Sequence, residues 1–458
     1  MAADPRPAGP RPAGPGPVGP GPVEPVPGRV AAAVRRLPRP VCGYVYDAAT
    51  LRARVALLRG VLPPRVRLLY AVKANGHPEV VRTVAATVDG LEVASGGELA
   101  LALGCGTGTG TGTDYGTGTG RDTSTGPDTG TGRDAGPGTG RLVAFSGPGK
   151  TDAELAAAVD AGAVVHVESL HELRRLSLAA VAASPGPGRG HGCSRRPVPV
   201  ALRVNRPGAP LPGSHAMTGT ATPFGIDAAQ LDRAAALAAA LPGLDLIGFH
   251  LHAVSNNTDA AAHAAFLVDA VQWSVRTAAR LRLRLRYVNA GGGLGVGYTG
   301  TAAELDLGVL GGGLRRAVAD LPDGAELVLE PGRFLAADAG WYAAEVLDLK
   351  PVHGRWFAVL RGGTHHFRLP AAWGYSHPCT VLPVEEWPYP FDRPQLRHAT
   401  VDVAGELCTP RDVLARDRRF DLLRAGDILV FARTGAYGWE VSHHDFLRHP
   451  YPELVFLP

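Results

Sequence analysis

Residues 66–73 read Val-Arg-Leu-Leu-Tyr-Ala-Val-Lys, an apolar run that closes on a lysine. Its shortness and its β-branched and aromatic content predict a buried strand. Runs of the same kind recur at 90–94, 141–146, 163–168, 198–204, 245–252, 285–290 and 326–330. Helical patterns separate most of them, among them Pro78–Val88, Asp152–Ala161, Ala228–Leu241 and Ala260–Leu281. Strands alternating with helices build a parallel sheet whose outer face the helices cover. Eight such runs predict an α/β fold with a closed (β/α)8 barrel of the TIM type.

Beyond about residue 338 the texture changes. Short strand-like runs such as Trp356–Leu360, Ala399–Val403 and Asp427–Phe431 lie between Gly and Pro turns, which predicts an antiparallel β domain, a small barrel or sandwich. The early strand Val41–Tyr46 fits the same sheet. The expected division is a β domain from 29–47 and 339–458 around a barrel spanning 48–338. Residues 1–28, dominated by Pro, Gly and Ala, cannot pack a core and are expected to be a disordered tail. The Gly-Thr tract of 104–140 reads as a loop insertion in the barrel, and 185–197 as a shorter loop.

Composition narrows the function by exclusion. The 46 basic and 42 acidic residues leave a net charge of +4 without a dense Lys/Arg run, so nothing favours a nucleic-acid partner. Five cysteines (Cys42, Cys105, Cys193, Cys379 and Cys408) lie without CxxC spacing, against a disulfide framework or a structural zinc site. No apolar stretch nears the roughly 20 residues of a membrane span, and the N-terminus lacks the apolar core of a secretory signal. A cytoplasmic protein without a membrane partner is expected.

In barrels of this kind the active site lies at the C-terminal ends of the strands. Lys73 closes the first. Burial lowers an amine's pKa and frees it for Schiff-base chemistry, whereas a rim lysine simply snorkels to water. His250 and His252 alternate within Gly248–Asn257 and share one strand face. Such a pair suits a metal, a ring stacked over a flat cofactor, or a hydrogen-bonded core. No third histidine or carboxylate is evident at a matching strand end, so no metal is expected. The seventh strand ends in Asn289-Ala-Gly291-Gly292-Gly293, a cradle for an anion or a tight turn. The eighth ends in Glu330-Pro-Gly-Arg333, either a carboxylate for a protonated ring nitrogen beside an anion-binding arginine or a structural ion pair. The β domain adds Cys408, with Thr409 after it, and Tyr437. Taken alone, Cys408 reads equally as a small buried hydrophobe.

The ordered set from Lys73 through His252, the triple glycine and Glu330 to Cys408 and Tyr437 resembles the fold-type III pyridoxal-phosphate (PLP) decarboxylases, which include the diaminopimelate and ornithine decarboxylases. The resemblance covers about residues 38–458 apart from the Gly-Thr insertion. FSGPGK (145–150), HVESLHEL (166–173), RGGTHHFRLP (361–370), LCTPRDV (407–413) and GAYGWEVSHHDFLRHPYPE (435–453) look most like the siderophore-pathway branch, which decarboxylates a citryl-diaminopropionate conjugate. The resemblance implies that Lys73 forms the Schiff base and His252 stacks on the cofactor ring. It implies that Ser255, Gly291, Gly292, Gly293, Arg333 and Tyr437 hold the phosphate and that Glu330 keeps the ring nitrogen protonated. It also implies that Cys408, reaching in from a partner subunit, reprotonates Cα, so a homodimer with shared active sites is expected.

One departure bears on the substrate. Diaminopimelate and ornithine decarboxylases carry an acid directly after the cysteine, where this chain has Thr409. A distal ammonium would then lack its counter-charge, and a small amino-acid conjugate with an anionic far end fits better. Arg368, His365 and His366, with Thr409, are the candidate substrate-binding residues, and His443 and His444 are further cations nearby in sequence. The alternatives are a diaminopimelate or aminoacyl-carrier-protein decarboxylase of the same family, an amino-acid racemase, and a metal-dependent barrel hydrolase using His250 and His252.

Overall fold

The computed structural model describes residues 25–105, 141–184, 196–208, 211–299 and 304–458. The Pro/Gly tail through residue 24, nearly all of the Gly-Thr tract and most of the 185–197 loop lie outside the described residues.

All eight predicted runs are strands: Val66–Ala71, Gly90–Val93, Leu142–Phe145, Val164–Val167, Val198–Asn205, Leu244–His250, Tyr287–Asn289 and Glu326–Leu329. Each pairs in parallel with its neighbours in chain order, and Leu327 pairs with Val66 to close the ring. Most of the helices between them start on side-chain caps that the sequence supplies. Ser95 accepts from the Glu98 amide, Ser169 from the Glu172 amide, and Thr151 and Glu154 form a capping box. Each cap satisfies an amide that would otherwise lack an intrahelical partner.

Side chains alternate across a strand, so every second residue points into the barrel. Leu69, Leu142, Ala144, Val164, Ala201, Ile247, Tyr287 and Val328 form an apolar plug there. Two residues further along five of those strands, the inward positions turn polar: Ser146, His166, Arg203, Asn289 and Glu330, all buried. The plug is the floor of the site and the polar layer its working surface.

The chain then forms a second sheet. Its strands run Thr380–Leu382, Ile428–Phe431, Gly340–Val352, Arg355–Leu360, Gln395–Ala404 and Val413–Arg424 in spatial order. The early strand Cys42–Asp47 lies antiparallel to Gly340–Val352, with Tyr44 opposite Tyr342. Two pairings are parallel where an antiparallel sheet was expected: Cys42–Asp47 with Glu453–Leu457, and Arg355–Leu360 with Gln395–Ala404. Neither pair is joined by a hairpin, so no short turn dictates direction. A short helix, Gly28–Val34, buries Val30, Ala33 and Val34 against Val45, Trp341 and Val430. With only seven residues and no side-chain cap, its periodicity was too brief to read in the sequence.

Candidate active site

A cavity of about 290 Å³ opens above the polar layer, and Lys73, Glu92, Arg203, His250, His252, Ser255, Glu330, Arg333 and Tyr437 line it together. The strand ends thus meet as the sequence reading expected. Tyr437 arrives from the other sheet, its segment tied to the end of the first strand by its amide on the Ala74 carbonyl at 2.8 Å.

Lys73 is one of three lysines in the chain. Lys150 is consumed, its ammonium buried on Glu172 and the carbonyls of Gly147 and His166, and Lys350 sits exposed on Gly340–Val352. Only Lys73 faces the cavity, its side chain 42% accessible and its ammonium paired with Glu92. The expected depression of its pKa is overturned. Burial does act to lower it, but the Glu92 carboxylate, with Tyr437 and Glu330, outweighs burial and holds the amine above its usual range. Glu92 comes from the second strand, Gly90–Val93, and was assigned no role from sequence.

Glu330 is pushed up to about 8 by burial and by Glu92, against the pull of Lys73, Asn289 and Arg203. Its Oε1 accepts from Asn289 Nδ2 at 2.5 Å, and Oε2 stands 3.6 Å from His250 Nε2. His166 lies beside them, its ring 4.2 Å from that of His250. The expectation that no third histidine or carboxylate joins His250 is therefore overturned: His166, His250 and Glu330 present ligand-type atoms within 4.8 Å of one another. The cause is barrel closure, which gathers inward residues of the fourth, sixth and eighth strands into one layer. His252 does not belong to that group.

Burial, with Arg203 and Lys73 nearby, drives His252 well below its ordinary pKa, so its ring is neutral. Its Nδ1 accepts the Gly292 amide at 3.2 Å, which leaves Nε2 carrying the hydrogen. The three glycines are required by space. A Cβ at Gly291 would stand 2.3 Å from His252 Nδ1, one at Gly292 2.4 Å from the Glu330 carbonyl, and one at Gly293 2.5 Å from the Val254 carbonyl. Gly291 and Gly293 also hold φ of +70° and +89°, the region that favours glycine.

Arg333 is buried, donates to Tyr298 Oη at 2.7 Å and lies 4.4 Å from the Trp373 and Tyr437 ring centres. Among the described residues it has no carboxylate partner. A buried guanidinium without an acid is costly unless an anion arrives, and it stands at the glycine cradle. The residues present therefore fit a PLP: an amine for the carbonyl, a carboxylate for the ring nitrogen, a neutral ring for stacking, and a glycine and arginine pocket for the phosphate.

A larger cleft of about 840 Å³ lies on the second sheet, lined among others by Arg368, Thr409, Arg411, Arg416 and His443. Cys408 is exposed next to it and does not line the Lys73 cavity of its own chain. The loop that carries Cys408 is pinned by buried Asp412, which accepts from the amides of Thr364 at 2.6 Å and Leu407 at 2.8 Å. His365 and His366 line neither cavity. Both are buried, His365 3.8 Å from Glu406 and His366 3.3 Å from Cys42 Sγ.

Barrel, lysine, neutral histidine and glycine cradle together fit a PLP enzyme of the barrel type. Comparison with known proteins carries this further. The pyridoxal-binding domain of the pyridoxal-dependent decarboxylases matches residues 48–111 and 118–337, and the chain belongs to that family. A 2-[(L-alanin-3-ylcarbamoyl)methyl]-2-hydroxybutanedioate decarboxylase of Staphylococcus aureus is 35% identical over 425 residues, covering 91% of this chain and 94% of its own. A diaminopimelate decarboxylase of Aquifex aeolicus is 26% identical across 90% and 86% of the two chains. Among solved structures, the diaminopimelate decarboxylase of Helicobacter pylori complexed with L-lysine superposes with a TM-score of 0.72 at 21% identity, over 91% of this chain and 92% of its own. The chain is a PLP-dependent decarboxylase. No helix among the described residues is long and apolar enough to cross a membrane.

Proposed function

We propose that this decarboxylase acts in siderophore biosynthesis, removing the α-carboxylate of the conjugate that names its S. aureus relative, 2-[(L-alanin-3-ylcarbamoyl)methyl]-2-hydroxybutanedioate. The observation that carries the substrate class is the cleft beside Thr409: its charged lining residues are Arg368, Arg411 and Arg416, with His443 and no carboxylate. Such a wall attracts the conjugate's carboxylates and disfavours a distal ammonium.

When bound, the cofactor supplies an electron sink for the pair released as the Cα–carboxylate bond breaks. Lys73 would hold it through its amine, and the same amine would serve product release. His252 presents a neutral ring face, and Ser255, Gly291, Gly292, Gly293, Arg333 and Tyr437 take the phosphate. Glu330 keeps a proton on the ring nitrogen. Two chains share each site, because Cys408 is exposed and lies outside its own chain's Lys73 cavity. The partner's loop delivers this thiol to Cα, and the protein works as a homodimer in the cytoplasm. No substrate contact is proposed for His365 and His366.

Carbon dioxide release from the conjugate and from diaminopimelate, measured side by side, tests this reading. Turnover of the conjugate with at least tenfold higher kcat/KM is expected, and turnover of diaminopimelate alone overturns the substrate assignment.

A further inference from the structure

The hydrogens around Glu330 can be placed one by one. The Gly291 amide fills Asn289 Oδ1 at 2.7 Å, which fixes the orientation of the side-chain amide. Asn289 Nδ2 then donates to Glu330 Oε1 at 2.5 Å and to Tyr287 Oη at 2.7 Å. Tyr287 Oη accepts there, so its own hydrogen goes to His166 Nε2 at 2.9 Å. The hydrogen of His166 must therefore sit on Nδ1, where Ser146 Oγ takes it at 2.8 Å. His166 has no hydrogen left for Glu330 and no free lone pair for a metal.

His250 is left over. Both of its ring nitrogens are buried without a hydrogen-bond partner. Its Nε2 faces Glu330 Oε2 at 3.6 Å, just outside hydrogen-bond reach. Its other faces meet the rings of His166 and His252, with Arg203 and Lys73 nearby. These cations, and burial above all, hold it neutral. A neutral imidazole has one hydrogen to give, and Glu330 Oε2 is the acceptor in front of it.

We propose that His250 is a positioning residue for Glu330: as the Nε2–H tautomer it turns its hydrogen toward Oε2 while Asn289 holds Oε1, so that the carboxyl group keeps its orientation at the cavity wall. The inference rests on the role proposed for Glu330 toward the cofactor ring. Burial pushes Glu330 up to about 8, and Asn289 and His250 act against that rise as donors that favour the carboxylate over the carboxylic acid.

Two substitutions separate the donor from the ring. His250→Phe keeps a flat ring against His166 and removes the N–H, whereas His250→Gln restores an N–H near the Nε2 position. Cofactor affinity is read by fluorescence titration of the apoprotein, and kcat and KM are measured on the holoenzyme. His250→Phe is expected to weaken cofactor binding and lower kcat by roughly tenfold each, with KM unchanged, and His250→Gln to recover most of both. Wild-type values in His250→Phe, or no recovery in His250→Gln, overturn the proposal. Nitrogen-15 NMR of wild-type histidines gives a readout that needs no variant: Nε2–H at His250 is expected, and Nδ1–H overturns it. Stoichiometric zinc retained by the purified protein and lost in His250→Phe would also overturn it. Glu330→Gln distinguishes the two layers. Wild-type cofactor affinity and kcat in that variant would sink the role of Glu330 itself, whereas a defect there beside an unaffected His250→Phe sinks only the role of His250.

Discussion

At the scale of the residue, the Lys73–Glu92 pair decides how the apoprotein meets its cofactor. Glu92 holds the amine charged, and only the free base attacks a carbonyl. Glu92→Gln removes that hold, so the free-base fraction at pH 7 rises. Cofactor capture, followed by the growth of visible absorbance, is expected to quicken about tenfold, the effect of one pKa unit, and an unchanged rate would contradict this electrostatic assignment. Lys73, His252, the three glycines, Glu330 and Arg333 were legible in the sequence because each ends a strand. Glu92, His166 and Arg203 were not singled out, and Asn289 was read only as the start of the glycine motif. They sit two residues beyond an inward small or apolar position, or one pleat earlier on a short strand, and their neighbourhood exists only once the barrel closes.

At the scale of the element, the strands could be read because apolar runs of this length have few alternatives. Parallel pairing in the second sheet could not, because it joins segments as distant as 42–47 and 453–457, and no local signal records such a partner. One contact that bridges the barrel to the later chain has a measurable signature. Glu440 Oε1 accepts the Gly76 amide at 3.2 Å, two residues before the helix Pro78–Ala85, and Oε2 is buried without a partner. Burial pushes this carboxyl up from its ordinary 4.5 to about 8. The acid is therefore favoured in the fold, and its contribution is fully present below pH 4.5 and lost as pH rises through about 8. Glu440→Gln removes that dependence. Its Tm, followed by calorimetry against wild type, is expected to gain roughly 2 °C or more between pH 5 and pH 9, and a constant difference across that range would contradict the assignment.

At the scale of the whole molecule, the Lys73 cavity and the exposed Cys408 are separate features of one chain, and the proposed dimer joins them across an interface. Lys73→Ala and Cys408→Ala are then each inactive alone but complementary when mixed. Random re-association makes half of the dimers mixed, and each mixed dimer carries one site with both residues intact. Activity is expected to recover to about a quarter of wild type, and no recovery on mixing would contradict a shared site.

Chemical reduction shows which residue holds the cofactor, the role proposed for Lys73. Borohydride treatment of the PLP-loaded protein, followed by proteolysis and mass spectrometry, locates the attached pyridoxyl group. It is expected on Lys73 alone of the three lysines. Attachment at Lys150 or Lys350, or at no lysine, would rule out Lys73 as the residue that holds the cofactor.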